Sequence, residues 1–167
     1  MGLFSWLFAS YSEKEINIVL VNPEIPQNTG NISRTCAVTG ASLHIIRPCG
    51  FEISDRTLKR AGLDYWDKLD VHYYDSFAEL EEKYPDADMY FFTSKGKHRY
   101  TDVAFTENVF LVFGRETAGL DPQILEGRED RALRMPMLPT LRCLNLSNAV
   151  AIATYEVLRQ FGFEGLV

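Results

Sequence analysis

The run "INIVLV" beginning at Ile16 limits the fold more than any other stretch of the chain. Five apolar residues around the single polar Asn17, rich in β-branched side chains, suit a strand covered on both faces, as in a parallel sheet flanked by helices. "SLHII" from Ser42, "DVHYY", "DMYFFTS", "NVFLVFG" and "ALRMPM" read as further strands. Helical patterns lie between them. "PEIPQNTGNISRTCAVTG" supplies a proline-marked loop and then a helix, with Gly40 where a helix C-terminus favours positive φ. Ser54 is placed to cap a short helix through Lys59, and Ser76 with Glu79 three residues later forms a capping box for "FAELEEKY". From Ala149 a terminal helix follows, with Leu146, Ala149, Val150, Ala153 and Val157 on one face and Ser147 or Asn148 as its candidate cap. Alternating strands and helices predict an α/β fold, with a mostly parallel sheet flanked by helices. No internal repeat or low-complexity linker interrupts it.

A length of 167 residues and 46% hydrophobic content fit one compact domain. No apolar run approaches the roughly 20 residues of a membrane span, so no membrane partner is expected. The opening "MGLFSWLFAS" lacks a basic region and a convincing cleavage site, and reads as an amphipathic extension over residues 1–15 ahead of a domain at 16–167. Cys36, Cys49 and Cys143 form no CxxC pair, which argues against a disulfide framework and for a cytoplasmic protein. His44, His72 and His98 are dispersed, and no metal is expected. The net charge of −6 disfavours a general nucleic-acid binder, yet base collects locally in "DRTLKR" and "SKGKHRY".

Ligands of such sheets bind beyond the carboxyl ends of the strands, and three loops stand out there. "PQNTGNISRTC" carries Asn28, Gly30, Asn31 and Arg34 at a loop-to-helix junction, which also suits a plain cap with a solvated arginine. In "FGRETAGL", Gly114 and Gly119 bracket Glu116, as in a close backbone approach to a ligand or in an ordinary turn. "MPMLPTLRCLNLSNAV" places Arg142, Cys143, Asn145, Ser147 and Asn148 among leucines before a helix, more polar groups than one cap requires. No GxGxxG, GxxxxGKS/T or GxSxG occurs, which removes the main support for a dinucleotide fold, a P-loop or a serine hydrolase.

Asn28, Gly30 and Arg34, then "FGRETAGL", then "MPM…RCLNLSNAVAIATYE" resemble, in order, the three motifs of the SPOUT methyltransferases. Within that class the chain is most similar to the small tRNA (cytidine/uridine-2′-O)-methyltransferases of the wobble nucleotide, with "KRAGLDYW" and "TSKG" as further matches between Ile16 and Gly165. The resemblance implies a SPOUT fold with a C-terminal trefoil knot, a homodimer, and 2′-O-methylation of a wobble pyrimidine of tRNA, leucine tRNA in particular, from S-adenosylmethionine. Carried over, Phe92, Gly114, Met135, Leu138, Cys143 and Leu144 contact the cofactor. Arg34, Glu116 and Asn145 form the catalytic set. Asn28, Lys59, Arg60, Lys95, Lys97, Arg99 and Arg142 face the RNA. The family usually has serine where this chain has Cys143, and a thiol is a weaker donor. Two readings remain beside it: a 2′-O-methyltransferase of another tRNA or rRNA position, and an RNA-binding module without catalysis. A dehydrogenase lacks its glycine fingerprint.

Overall fold

The computed structural model describes residues 14–51, 69–141 and 143–167. Seven strands form one sheet: β1 (Glu15–Val21), β2 (Ser42–Ile46), β3 (Val71–Tyr74), β4 (Asp88–Phe92), β5 (His98–Arg99), β6 (Asn108–Phe113) and β7 (Ala132–Arg134). Their order is β3-β2-β1-β6-β4-β7-β5, and each adjacent pair is parallel. Successive strand residues face opposite sides of a sheet. Accordingly Ile16, Ile18 and Leu20 of β1 join one core cluster, while Val19 and Val21 join another on the opposite face. The apolar run, broken only by Asn17, exists because both faces are covered.

One face carries α1 (Pro26–Thr39) and α4 (Leu146–Gln160), which bury Ile32 and Cys36 against Val150, Ala153, Val157 and Leu158. Burial pushes the Cys36 thiol up to about 12, so it stays protonated and packs as an apolar group. The other face carries α2 (Phe77–Lys83), anchored by buried Phe77 and Leu80. A short α3 (Pro122–Leu125) precedes β7. Gly40 ends α1 at φ 75°, its N–H bonding the Cys36 carbonyl, as expected for a left-handed stop. At α2 the Glu79 N–H bonds Ser76 Oγ at 3.2 Å, but the Glu79 carboxylate accepts from the Asp75 N–H, not from that of Ser76. The expected Ser54 cap, Lys59, Arg60 and the rest of "KRAGLDYW" lie outside the described residues.

Two local expectations are corrected. α4 starts at Leu146, ahead of Ala149, and its cap is Asn145, whose Oδ1 accepts from the Ser147 and Asn148 N–H groups at 2.9 and 3.4 Å. The second concerns "SKGKHRY", read as a basic stretch, which contains strand β5; two residues are too short to show a period. β7 lies between β4 and β5 although only residues 93–97 join those two strands. That link hugs β7: the Thr93 N–H bonds the Leu133 carbonyl at 2.9 Å, and a Cβ on Gly96 would lie 2.5 Å from the Leu133 carbonyl carbon.

A polar pocket inside the sheet layer bears on stability. His44 on β2 is 1% exposed, with Nδ1 3.0 Å from the Tyr74 hydroxyl and Nε2 3.1 Å from Asn17 Oδ1. Desolvation, aided by the charge of His72, drives its pKa down to about 3, so it is neutral at ordinary pH.

Candidate active site

The sheet order diverges at β1 and β6: from β1 the chain builds outward through β2 and β3, and from β6 through β4, β7 and β5. The loops beyond the carboxyl ends of β1 and β6 therefore lie side by side, where open α/β sheets hold their ligands. Glu116, after β6, accepts the Glu24 N–H at 2.8 Å, the Ile25 N–H at 3.1 Å and the Asn28 amide at 3.0 Å. The first amides of a helix have no partner within it, so this carboxylate closes the start of α1 from across the sheet and complements its dipole. Ile25, at the N-cap position, has no side-chain oxygen to do so itself.

The chain of bonds continues. Asn145 Nδ2 donates to Asn28 Oδ1 at 2.9 Å, and Asn145 Oδ1 accepts from the Ser147 N–H and hydroxyl at 2.9 and 2.7 Å. Glu116, Asn28 and Asn145 thus join all three loops singled out in the sequence. Asn28, expected to face the RNA, is buried, with its amide and carbonyl both engaged in bracing the loops.

A cleft of about 1170 Å³ opens over this network. Of the expected cofactor residues, Phe92, Gly114, Met135, Cys143 and Leu144 line it, whereas Leu138 does not and is 67% exposed. Glu116, Asn145, Asn28, Lys95 and Lys97 line it as well. Arg34 and Arg99 are exposed and outside the lining, on α1 and on β5. Arg142, like Lys59 and Arg60, lies outside the described residues. Among the described residues no three His, Cys, Asp or Glu side chains group as a metal-ligand set.

The cleft wall is folded tightly on itself. Arg115 and Gly119 exchange backbone hydrogen bonds at 3.1 and 2.8 Å, and a Cβ on Gly114 would meet the Gly119 carbonyl carbon at 2.1 Å. Gly114 is therefore required by close backbone approach, and Gly119 by its φ of 71°. Phe92 and Phe113 stack beneath the loop with centroids 4.6 Å apart.

Sequence reasoning missed Glu24 and Thr117. The Glu24 carboxylate accepts from the Thr117 N–H at 3.1 Å and from its hydroxyl at 2.8 Å. Each glutamate therefore fastens the other's loop. The signal in the sequence was weak: two acid-bearing loops that follow strands adjacent in the sheet.

A parallel sheet with its cleft at the divergence of strand order, walled by glycine-pinned backbone and an asparagine-capped helix, defines an α/β ligand-binding fold. The chain belongs to the SpoU rRNA Methylase family, which matches residues 15–155. It is 50% identical over 154 residues to a putative tRNA (cytidine(34)-2′-O)-methyltransferase of Geobacillus stearothermophilus, covering 90% of this chain and 98% of that one. Among solved structures, a putative RNA methyltransferase from Bacillus anthracis superposes with a TM-score of 0.86 at 48% identity, covering 90% of this chain and 97% of that one. Another, whose structure concerns the 2-OH methylation of C/U34 on tRNA, gives a TM-score of 0.84 at 41% identity, covering 91% and 99%.

Proposed function

We propose that the protein transfers a methyl group from S-adenosylmethionine to the ribose 2′-oxygen of the wobble pyrimidine of tRNA, cytidine or modified uridine, with leucine tRNA as substrate. The observation that carries this reading is the Glu116–Asn28–Asn145 chain, which draws the three motif loops into one wall of one cleft. Family membership and the names of the similar proteins support the same chemistry.

The lining fits the cofactor. Phe92, Phe113, Leu120, Met135 and Leu144 offer an apolar wall for a nucleoside, and the backbone of 114–119 and 143–145 offers polar groups beside it. The bound cofactor supplies an electrophilic methyl group. Glu116 holds the 114–119 loop in shape and Asn145 fixes the start of α4, so both act by orienting the site, and orientation accounts for much of such an acceleration. Arg34 carries a guanidinium, whose charge is permanent, so it serves as a fixed cation for a phosphate and the developing alkoxide. No metal takes part.

Arg34 lies outside this subunit's cleft lining, which suits a site assembled from two subunits. Val38 on α1 and Ile152 and Tyr155 on α4 expose apolar surface on the same layer of the fold, as a homodimer face would. The trefoil knot is supported by β7 passing between β4 and β5, with the chain then returning to pack α4 on α1. The residues ahead of Glu15, where β1 and the family match begin, are an extension to the methylase domain, and the protein works in the cytoplasm. Calorimetry with S-adenosylmethionine and with NAD, followed by methyl-transfer assays on tRNA with and without chelator, tests the reading. Binding of the methyl donor alone and chelator-insensitive ribose methylation are expected; NAD binding, metal dependence or methylation of a base would refute it.

A further inference from the structure

Twelve lysines and arginines lie in the described residues, and they divide sharply by partner. Lys14, Arg47, Arg128, Arg131 and Arg159 are in ion pairs with Glu164, Asp75, Glu81, Asp88 and Glu156. Lys83 lies over the Tyr74 and Tyr84 rings, and Arg34 also has a partner. The other five, Lys95, Lys97, Arg99, Arg115 and Arg134, make no side-chain ion pair, hydrogen bond or ring contact among the described residues. All five belong to β5, β7, the β4–β5 link and the loop after β6.

Their arrangement works against stability. Arg99 on β5 and Arg134 on β7 are register partners in parallel strands, so their side chains project to the same face, and both are exposed. Like charges held side by side on a sheet destabilise it. Lys95, Lys97 and Arg115 line the cleft. Carboxylates are at hand in the same cleft, Glu126 and Glu129, but Glu129 accepts the Gly127 N–H and neither pairs with these cations. In a chain of net charge −6, five cations left without counter-ions in the cleft lining and on the β7–β5 strand pair point to a counter-ion supplied from outside.

We propose that Arg115 and Arg134 extend the rim of Lys95, Lys97 and Arg99 into a track for the phosphate backbone of the RNA flanking the target nucleotide. The inference rests on the tRNA reading above. Arg134 extends the track along the β7–β5 edge, and Arg115 brings it to the cleft. Arginine suits this role because its planar fork meets phosphate oxygens two at a time. Such contacts position the substrate without reading its sequence.

The test is the salt dependence of tRNA binding by the full chain, for wild type, Arg115→Gln, Arg134→Gln, Arg134→Lys and the control Arg159→Gln, each checked by thermal melting. Each phosphate that a side chain neutralises steepens the fall of log affinity with log salt by roughly 0.7–0.9, so removing that charge should make the slope shallower by the same amount. Arg115→Gln and Arg134→Gln should each do so and weaken binding several-fold. Arg134→Lys should keep the wild-type slope, and Arg159→Gln should keep both slope and affinity. Unchanged slope and affinity in both glutamine variants would overturn the track. A wild-type protein that binds the methyl donor but no tRNA would instead overturn the proposed function on which the track rests.

Discussion

Replacing Glu116 with glutamine separates a charged hub from an ordinary turn residue, because the side chain keeps its shape and loses only charge and acceptor capacity. The carboxylate accepts three hydrogen bonds, two from amides at the start of α1 and one from Asn28. In Glu116→Gln one oxygen becomes a donor that faces a donor, either the Glu24 N–H or the Ile25 and Asn28 groups. Hydrogen bonds to charged groups contribute about 1.5–3 kcal/mol each, against roughly 1 kcal/mol for neutral ones, and an orphaned amide costs a further 1–3 kcal/mol. The helix dipole adds about 0.3–1 kcal/mol for the missing charge. Allowing for the side chain's partial exposure, a loss of roughly 3 kcal/mol is expected, or about 6–12 °C in Tm for a chain of this size. Urea and thermal unfolding at one fixed protein concentration measure it. A loss below about 1 kcal/mol would show that the three bonds do not hold the loops together.

Other outcomes follow from the same geometry. His44 has a folded pKa depressed to about 3, so its contribution is complete above the unfolded value near 6.5 and is lost as pH falls toward 3, at up to about 1.4 kcal/mol per pH unit. Unfolding free energies between pH 6.5 and 5 should fall less steeply for His44→Gln than for wild type, and equal slopes would contradict the buried neutral imidazole. Cys143→Ser should bind S-adenosylmethionine at least as well as wild type by calorimetry; a loss beyond about tenfold, or 1.4 kcal/mol, would give the thiol a role of its own. Arg34→Lys should retain part of the single-turnover methyl transfer, with about 1–3 kcal/mol lost, while Arg34→Ala loses far more and neither changes cofactor affinity. Equal inactivity of the two with tRNA binding intact would refute a role by charge alone.

The strands were legible because both faces of this sheet are covered, so β1 and β6 are written as nearly continuous apolar runs. β5 was not, since two residues of a basic loop acquire strand geometry only by pairing with β7. The three site loops were visible as polar residues beside glycines and prolines, but their connection was not. Glu116 and the Glu24 amide are 92 residues apart, and nothing local to either marks the pair. The same long-range pairing explains Asn28, which looks like a surface group at a helix start and is buried by its bonds to Glu116 and Asn145. Asn145 was placed at the site by resemblance and lines the cleft, whereas its capping of α4 came from the structure, because Ser147 and Asn148 are equally good caps on composition.

The central claim is tested most directly by incubating the purified protein and S-adenosylmethionine with unmodified leucine tRNA and locating the new methyl group by mass spectrometry of nuclease fragments. The account predicts one methyl group, on the ribose 2′-oxygen of the wobble nucleotide, with no methylation when that nucleotide carries a 2′-deoxyribose. A methyl group on a base, on a ribose elsewhere in the tRNA, or on the 2′-deoxy substrate would contradict it.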